Sequence, residues 1–235
     1  MGVYGKNAYT FRIAMETSGN LVHGLCNLFN TKINEDGNRT LFNIEYAQYA
    51  KFDFDVSKSF RLSNRSSLAM RFALGVAYPY GNSDVLPYEK RYFGGGANSV
   101  RGWSVRSLGP GSFIGNDGNI DFINQTGDVK LDMSVEFRTH LFWKFDGAVF
   151  VDAGNIWTLR DYKDQPGGQF RWDTCWEQIA VAYGLGLRLN LSYFLLRLDA
   201  GMKAINPAFK DPKQHYPITA RPRIPIPLQA NFSKF

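Results

Sequence analysis

The chain has 235 residues, enough for one large β domain or two small ones, and 15% of them are aromatic. Its net charge of +6 is modest and its basic residues are spread along the chain, so no clustered basic face supports a nucleic-acid partner. No run of about 18 apolar residues occurs, which excludes a transmembrane helix but leaves open a transmembrane β-barrel, whose apolar surface occupies every second residue.

Alternation of apolar and polar residues predicts strands along most of the chain. The first strand, residues 8–17, precedes a turn-rich stretch at 18–42, in which LVHGLCNLF is a candidate for one short helical turn. The other predicted strands are 43–62, 66–80, 128–141, 145–157, 178–192, 193–204 and a short one at about 228–232. About eight strands are therefore predicted, with no useful helical period and no internal repeat.

The longest connection is the loop 81–127, which contains YEKRYFGGGANSVRGWSVRSLGPG at residues 88–111. A loop this long inside a compact chain is usually functional or disordered, and its large apolar residues make disorder the poorer interpretation. The candidate functional residues in it are Gly94, Gly95, Gly96, Val100, Arg101, Gly102 and Trp103.

Connection lengths point to a membrane barrel. Long links alternate with very short ones, as they do when extracellular loops alternate with periplasmic turns. One strand face is apolar and the other mixes charges with Ala and Gly, which fits lipid on one side and a wet lumen on the other. Aromatic residues near strand ends fit interface girdles. The predicted fold is all-β, an antiparallel transmembrane β-barrel or a large part of one, with a soluble β-sandwich as the alternative.

Enzyme and cofactor signatures are weak. GGGANSVRG fails both nucleotide-binding glycine patterns. His23, His140 and His215 are scattered, so no metal site is expected, and no Ser/His/Asp set is suggested. The chain is therefore predicted not to be an enzyme and to need no cofactor. Cys26 and Cys175 could form one disulfide or remain two unrelated thiols.

Two carboxylates, Glu136 and Asp152, are placed on the inward faces of neighbouring predicted strands. They could be imagined as a catalytic pair, but lumen charges that need a counter-charge are the better interpretation. Arg101 is the natural partner, because a guanidinium can form paired hydrogen bonds to carboxylates. The alternative is an arginine in a mobile outer loop that contacts solvent, and the sequence leaves both open.

Four segments, FGGGANSVRGW, LGPGS, GDVKLDMSVEFR and GAVFVDAGNIW, resemble the C-terminal barrel of the BamA/TamA-type outer-membrane assembly family. The most specific part is VRGW followed by FVDAGNIW, and the resemblance covers residues 8–235. It implies the C-terminal half of a barrel of roughly sixteen strands in the outer membrane of a Gram-negative bacterium, with long loops extracellular and short turns periplasmic. It also implies that the whole protein inserts other β-barrel proteins through a weak seam between its first and last strands.

The resemblance also implies roles for residues and partners. The Arg-Gly loop is expected to fold back into the lumen, with Arg101 on Glu136 and Asp152, and Phe235 resembles the end of an outer-membrane strand signal. Expected partners are the lipid bilayer, unfolded outer-membrane protein clients, and periplasmic or lipoprotein assembly factors. Residues 1–235 are expected to be a barrel portion without POTRA domains or a visible secretory leader. The alternative functions are a two-partner-type secretion pore and a non-membrane adhesion protein.

Overall fold

The computed structural model describes residues 7–29, 32–34, 37–42, 44–115, 121–191, 193–209 and, for its backbone, 228–234. Its elements are β1 (Ala8–Ser18), α1 (Asn20–Leu28), β2 (Thr40–Leu41), β3 (Ile44–Glu45), β4 (Tyr49–Arg61), β5 (Ser66–Pro79), a 3-10 turn (Tyr88–Lys90), β6 (Val129–Phe142), β7 (Phe145–Trp157), β8 (Ala180–Asn190), β9 (Phe194–Ile205) and β10 (Leu228–Lys234). Phe235 lies outside the described residues.

Eight of the strands form one sheet in the order β1-β4-β5-β6-β7-β8-β9-β10, while β2 and β3 pair separately. Every neighbouring pair in the large sheet is antiparallel. In the described part of the chain β1 and β10 are the two edges, so this sheet is open. The predicted all-β antiparallel architecture is confirmed.

The two faces of the sheet are the reverse of those of a soluble protein. Apolar side chains stand exposed on one face, with Met15 78% and Leu185 66% exposed. The opposite face carries buried charges, and Asp152 is 0% exposed. A sandwich would cover its apolar face with a second sheet, whereas a membrane barrel wall turns that face to lipid. Among the described residues, no helix is long and apolar enough to span a bilayer.

The segment after β1 differs from the sequence prediction. The single helical turn expected there is a nine-residue helix, α1, and the strand predicted at 43–62 is divided into β3 and β4. A helix this short is marginal by itself, but side chains hold it in place: Asn20 Oδ1 accepts a hydrogen bond from Tyr80 Oη at 2.7 Å, and His23 Nδ1 lies 2.8 Å from Tyr46 Oη. Cys26 and Cys175 are buried free thiols, so the disulfide alternative is wrong.

The long loop between β5 and β6 supplies apolar residues to the inner, charged face of the sheet. One buried cluster combines the loop residues Leu86 and Tyr92 with Tyr49, Ala77 and Ile156 of the strands. A second cluster combines Val100, Trp103 and Leu108 with Ala180 and Ala182 of β8. The loop is therefore an internal packing element over the described sheet.

Candidate functional site

The loop that carries Arg101 makes a tight excursion closed by its own backbone. Gly96 N donates to Trp103 O at 2.8 Å, and Arg106 N donates to Gly94 O at 3.0 Å. Gly95 and Gly96 have φ angles of 84° and 93°, which disfavour residues with a side chain. A Cβ on Gly95 would also collide with the carbonyl oxygen of Ser104. These glycines therefore allow the turn that directs the following residues at the sheet.

The rest of the motif packs directly on β8 and β9. Val100 and Trp103 are buried on either side of Arg101. A Cβ on Gly102 would lie 2.8 Å from the Cβ of Ala182 and 3.3 Å from the carbonyl oxygen of Met202. Only a residue without a side chain lets the two backbones come this close. The position of Arg101 is thus fixed by its neighbours in the chain: Val100 and Trp103 fill space beside it, and Gly102 lets the loop backbone approach β8 and β9.

The Arg101 side chain joins two strands. Its Nε lies 2.6 Å from Asp152 Oδ2 and its Nη2 lies 2.8 Å from Asp152 Oδ1, a paired interaction with β7. Its Nη1 donates to Glu136 Oε2 of β6 at 2.6 Å, and its backbone N donates to Asp152 Oδ2 at 3.2 Å. Arg101 is 3% exposed, so these charge-assisted bonds are shielded from water.

A ring and a hydroxyl complete the pocket around the guanidinium. Its central carbon stands 3.4 Å from the ring centroid of Phe150, and Ser134 Oγ donates to Asp152 Oδ1 at 2.7 Å. Burial disfavours the charged form, but the hydrogen bonds and charges of Asp152 and Glu136 outweigh it, so the pKa of Arg101 is raised above its ordinary value. The guanidinium remains charged at every physiological pH.

Four further charged residues, which the sequence did not single out, extend this site into a network. Arg101 Nη1 lies 3.4 Å from Asp199 Oδ2 of β9, and Arg197 Nε lies 2.5 Å from the same oxygen. Glu136 Oε1 lies 2.7 Å from Arg188 Nη2 and 2.5 Å from Arg138 Nε. All four lie on the polar, inward-facing side of strands that alternate polar and apolar residues, and this alternation could have identified them from the sequence.

The resulting cluster is Arg101, Arg138, Arg188, Arg197, Glu136, Asp152 and Asp199. Four guanidiniums face three carboxylates, so the cluster carries a net charge of +1 and the loss of any carboxylate would raise it to +2. The described residues contain no group of His, Cys, Asp and Glu side chains suited to a metal ion. The arrangement can hold the loop against the sheet.

A second anchor ties the start of the loop to the sheet. Tyr92 Oη donates to Asp53 Oδ1 at 2.6 Å, and its ring fills the space above Gly75, where a Cβ would lie 2.5 Å from it. Burial and the hydrogen bond to Asp53 raise the pKa of Tyr92 above its ordinary value. Of the histidines, His140 lies 2.8 Å from Asp146 Oδ1, while His215 falls outside the described residues.

Comparison with solved structures supports the membrane barrel fold. The chain is similar to BamA from Haemophilus ducreyi lacking POTRA domains 1–3, with a TM-score of 0.51 and 16% identity. The match covers 84% of this chain and 48% of that one. At this identity the likeness shows the fold alone, and it confirms the prediction of an antiparallel transmembrane β-barrel wall.

Sequence comparison gives the family. The chain is 29% identical over 126 residues to the outer membrane protein assembly factor BamA of Neisseria meningitidis serogroup B (strain ATCC BAA-335 / MC58), a match that covers 50% of this chain and 15% of that protein. Residues 27–217 match the model of the Omp85 superfamily domain. The resemblance carried by VRGW and FVDAGNIW is thereby confirmed, and the chain belongs to the Omp85 superfamily of outer-membrane β-barrel proteins.

Proposed function

We propose that this chain is the C-terminal barrel portion of a factor that assembles and inserts β-barrel proteins into the outer membrane of a Gram-negative bacterium. Family membership and the similarity to BamA support an assembly role. Its clients would be unfolded outer-membrane proteins, and its partners would include the bilayer and periplasmic or lipoprotein assembly factors. The chain spans about half of the solved BamA chain it matches, so these activities belong to the whole protein.

The proposed mechanical part of this function is a latch in the loop 81–127. The observation that carries it is the buried guanidinium of Arg101, held by Asp152 of β7 and Glu136 of β6. A charge buried this deeply persists only where its partners are fixed. The latch would keep the loop inside the lumen and stiffen the barrel wall at β6 and β7.

The proposed orientation places the long loops outside the cell. The connections β1–β4, β5–β6 and β7–β8 are long and lie at one end of the strands, whereas β4–β5, β6–β7 and β8–β9 are joined by a few residues at the other. Barrels of the outer membrane keep their short turns in the periplasm. The C-terminal end of β10 would then also be periplasmic.

The test is replacement of Arg101 in the full-length protein, in cells depleted of the unmodified copy. Arg101→Ala should lower the outer-membrane levels of β-barrel clients several-fold and weaken heat-modifiable migration of the protein itself. Arg171→Ala is the matched control, because Arg171 pairs with Asp173 on the exposed surface of another loop. Unchanged client levels and migration in Arg101→Ala would refute the latch.

The same depletion distinguishes the alternative of a secretion pore. An assembly factor should be required by many unrelated β-barrel proteins. A two-partner-type pore should affect the export of one secreted substrate and leave outer-membrane biogenesis normal.

A further inference from the structure

Strand β9 contacts the Arg101 loop at four successive inward positions, which are Arg197, Asp199, Gly201 and Lys203. Arg197 Nη2 donates to the carbonyl oxygen of Ala97 at 3.3 Å, and Asp199 Oδ2 lies 3.4 Å from Arg101 Nη1. The Lys203 ammonium stands 5.1 Å from the ring centroid of Trp103. A strand exposes every second residue on one face, so the inward face of β9 follows the loop from Arg197 to Lys203.

Between these side chains the two backbones touch. A Cβ on Gly201 would lie 2.5 Å from the carbonyl oxygen of Arg101 and 3.2 Å from the nitrogen of Gly102. No larger residue fits there without moving the loop. Gly201 is therefore a seat for the loop backbone, independent of the charges on either side of it.

Part of the stretch of β9 that contacts the loop also pairs with β10. β9 pairs with β10, and the register places Arg197 opposite Asn231 and Asp199 opposite Gln229. Two of the four loop contacts thus lie within the stretch of β9 that holds β10. In the described sheet β10 has a paired neighbour on one side only, so its hydrogen-bonded ladder depends on the placement of β9.

We propose that docking of the loop on β9 controls the pairing of β10, an edge strand of the described sheet, with Arg197, Asp199 and Gly201 as positioning residues. While the loop is seated, β9 is held at the height and twist at which β10 pairs. When the loop leaves, β9 loses its inner support and the β9–β10 ladder loosens. The inference rests on the proposed latch, and it adds that release of the latch weakens strand pairing at the edge of the sheet.

The test is backbone hydrogen–deuterium exchange on the full-length protein in phospholipid vesicles. Gly201→Ala places a methyl group where the loop backbone rests and changes no charged residue. Asp199→Asn removes the β9 carboxylate at constant size. Both should speed exchange in residues 194–200 and 228–234 by roughly tenfold or more, without changing β4 and β5. Gly147→Ala is the matched control, because the nearest atoms to a Cβ on that strand glycine belong to the flexible Leu141 side chain, at 3.2 Å.

Three outcomes would overturn the proposal. Faster exchange in the loop with β10 unchanged would separate the latch from the edge. A uniform rise over the whole sheet would indicate general destabilisation, and no change in either the loop or β10 would show that the seat is not tight. Because exchange needs no client, failure here is distinguishable from failure of the assembly role, which the depletion experiment tests.

Discussion

Replacement of the buried guanidinium by an apolar side chain of similar length, Arg101→Met, gives the strongest test of the cluster. Glu136 keeps Arg138 and Arg188 as partners at 2.5 and 2.7 Å. Within the described residues, Asp152 keeps only two uncharged donors, Ser134 Oγ at 2.7 Å and the backbone N of residue 101 at 3.2 Å. The cost therefore falls on a carboxylate that is fully shielded from water.

Removing one partner of a buried pair costs about 3–5 kcal/mol. With an m-value of about 2 kcal/mol/M, that loss lowers the urea midpoint by about 1.5–2.5 M. The midpoint is measured by heat-modifiable migration or Trp fluorescence of the full-length protein in vesicles. Arg171→Met, on the exposed surface, should unfold with the unmodified protein.

The carboxylate is responsible for the cost only if removing its charge restores stability. Arg101→Met combined with Asp152→Asn should therefore recover more than half of the lost midpoint. A wild-type midpoint for Arg101→Met, or a double variant no more stable than Arg101→Met alone, would show that the buried carboxylate does not depend on this guanidinium.

Three further changes in the full-length protein test the loop anchors and the far end of the loop, the first by limited proteolysis and the other two by the urea midpoint. Gly95→Ala should release the loop, because φ is 84° there, and proteolysis within 94–108 should accelerate, which an unchanged cleavage rate would contradict. Tyr92→Phe should cost about 0.5–1.5 kcal/mol, the net contribution of one hydrogen bond, because the Asp53 side chain is 41% exposed and water can replace the lost donor; an equal midpoint would contradict this anchor. Burial raises the pKa of Asp128, so the folded protein binds a proton on this carboxyl more tightly than the unfolded chain does. The stability linked to that proton is fully present below the unfolded pKa of about 3.9 and is lost as pH rises through the folded pKa. Asp128→Asn should therefore raise the midpoint at neutral pH, with the gain disappearing in acid.

The strands and their faces could be predicted because they are local properties. Period-2 alternation at 128–141 and 145–157 matches β6 and β7 within two residues at each end. The same alternation placed Glu136 and Asp152 inward, since inward and outward follow from parity alone. A buried carboxylate needs a cation, so Arg101 could be named as a candidate partner before any distance was available.

Tertiary structure decided the rest of the site. Asp199 lies 98 positions beyond Arg101 in the chain, and only the stagger of four neighbouring strands brings it within 3.4 Å. α1 exceeds the predicted single turn because Tyr46 and Tyr80, distant in sequence, bind its side chains. In the sequence Gly201 is likewise an ordinary strand glycine, and only the tertiary structure shows that the loop backbone packs directly against it. The sequence determines which face of a strand each residue occupies, because that follows from alternation along the strand. The register between strands, and the position of the loop against them, is set by packing across the whole sheet.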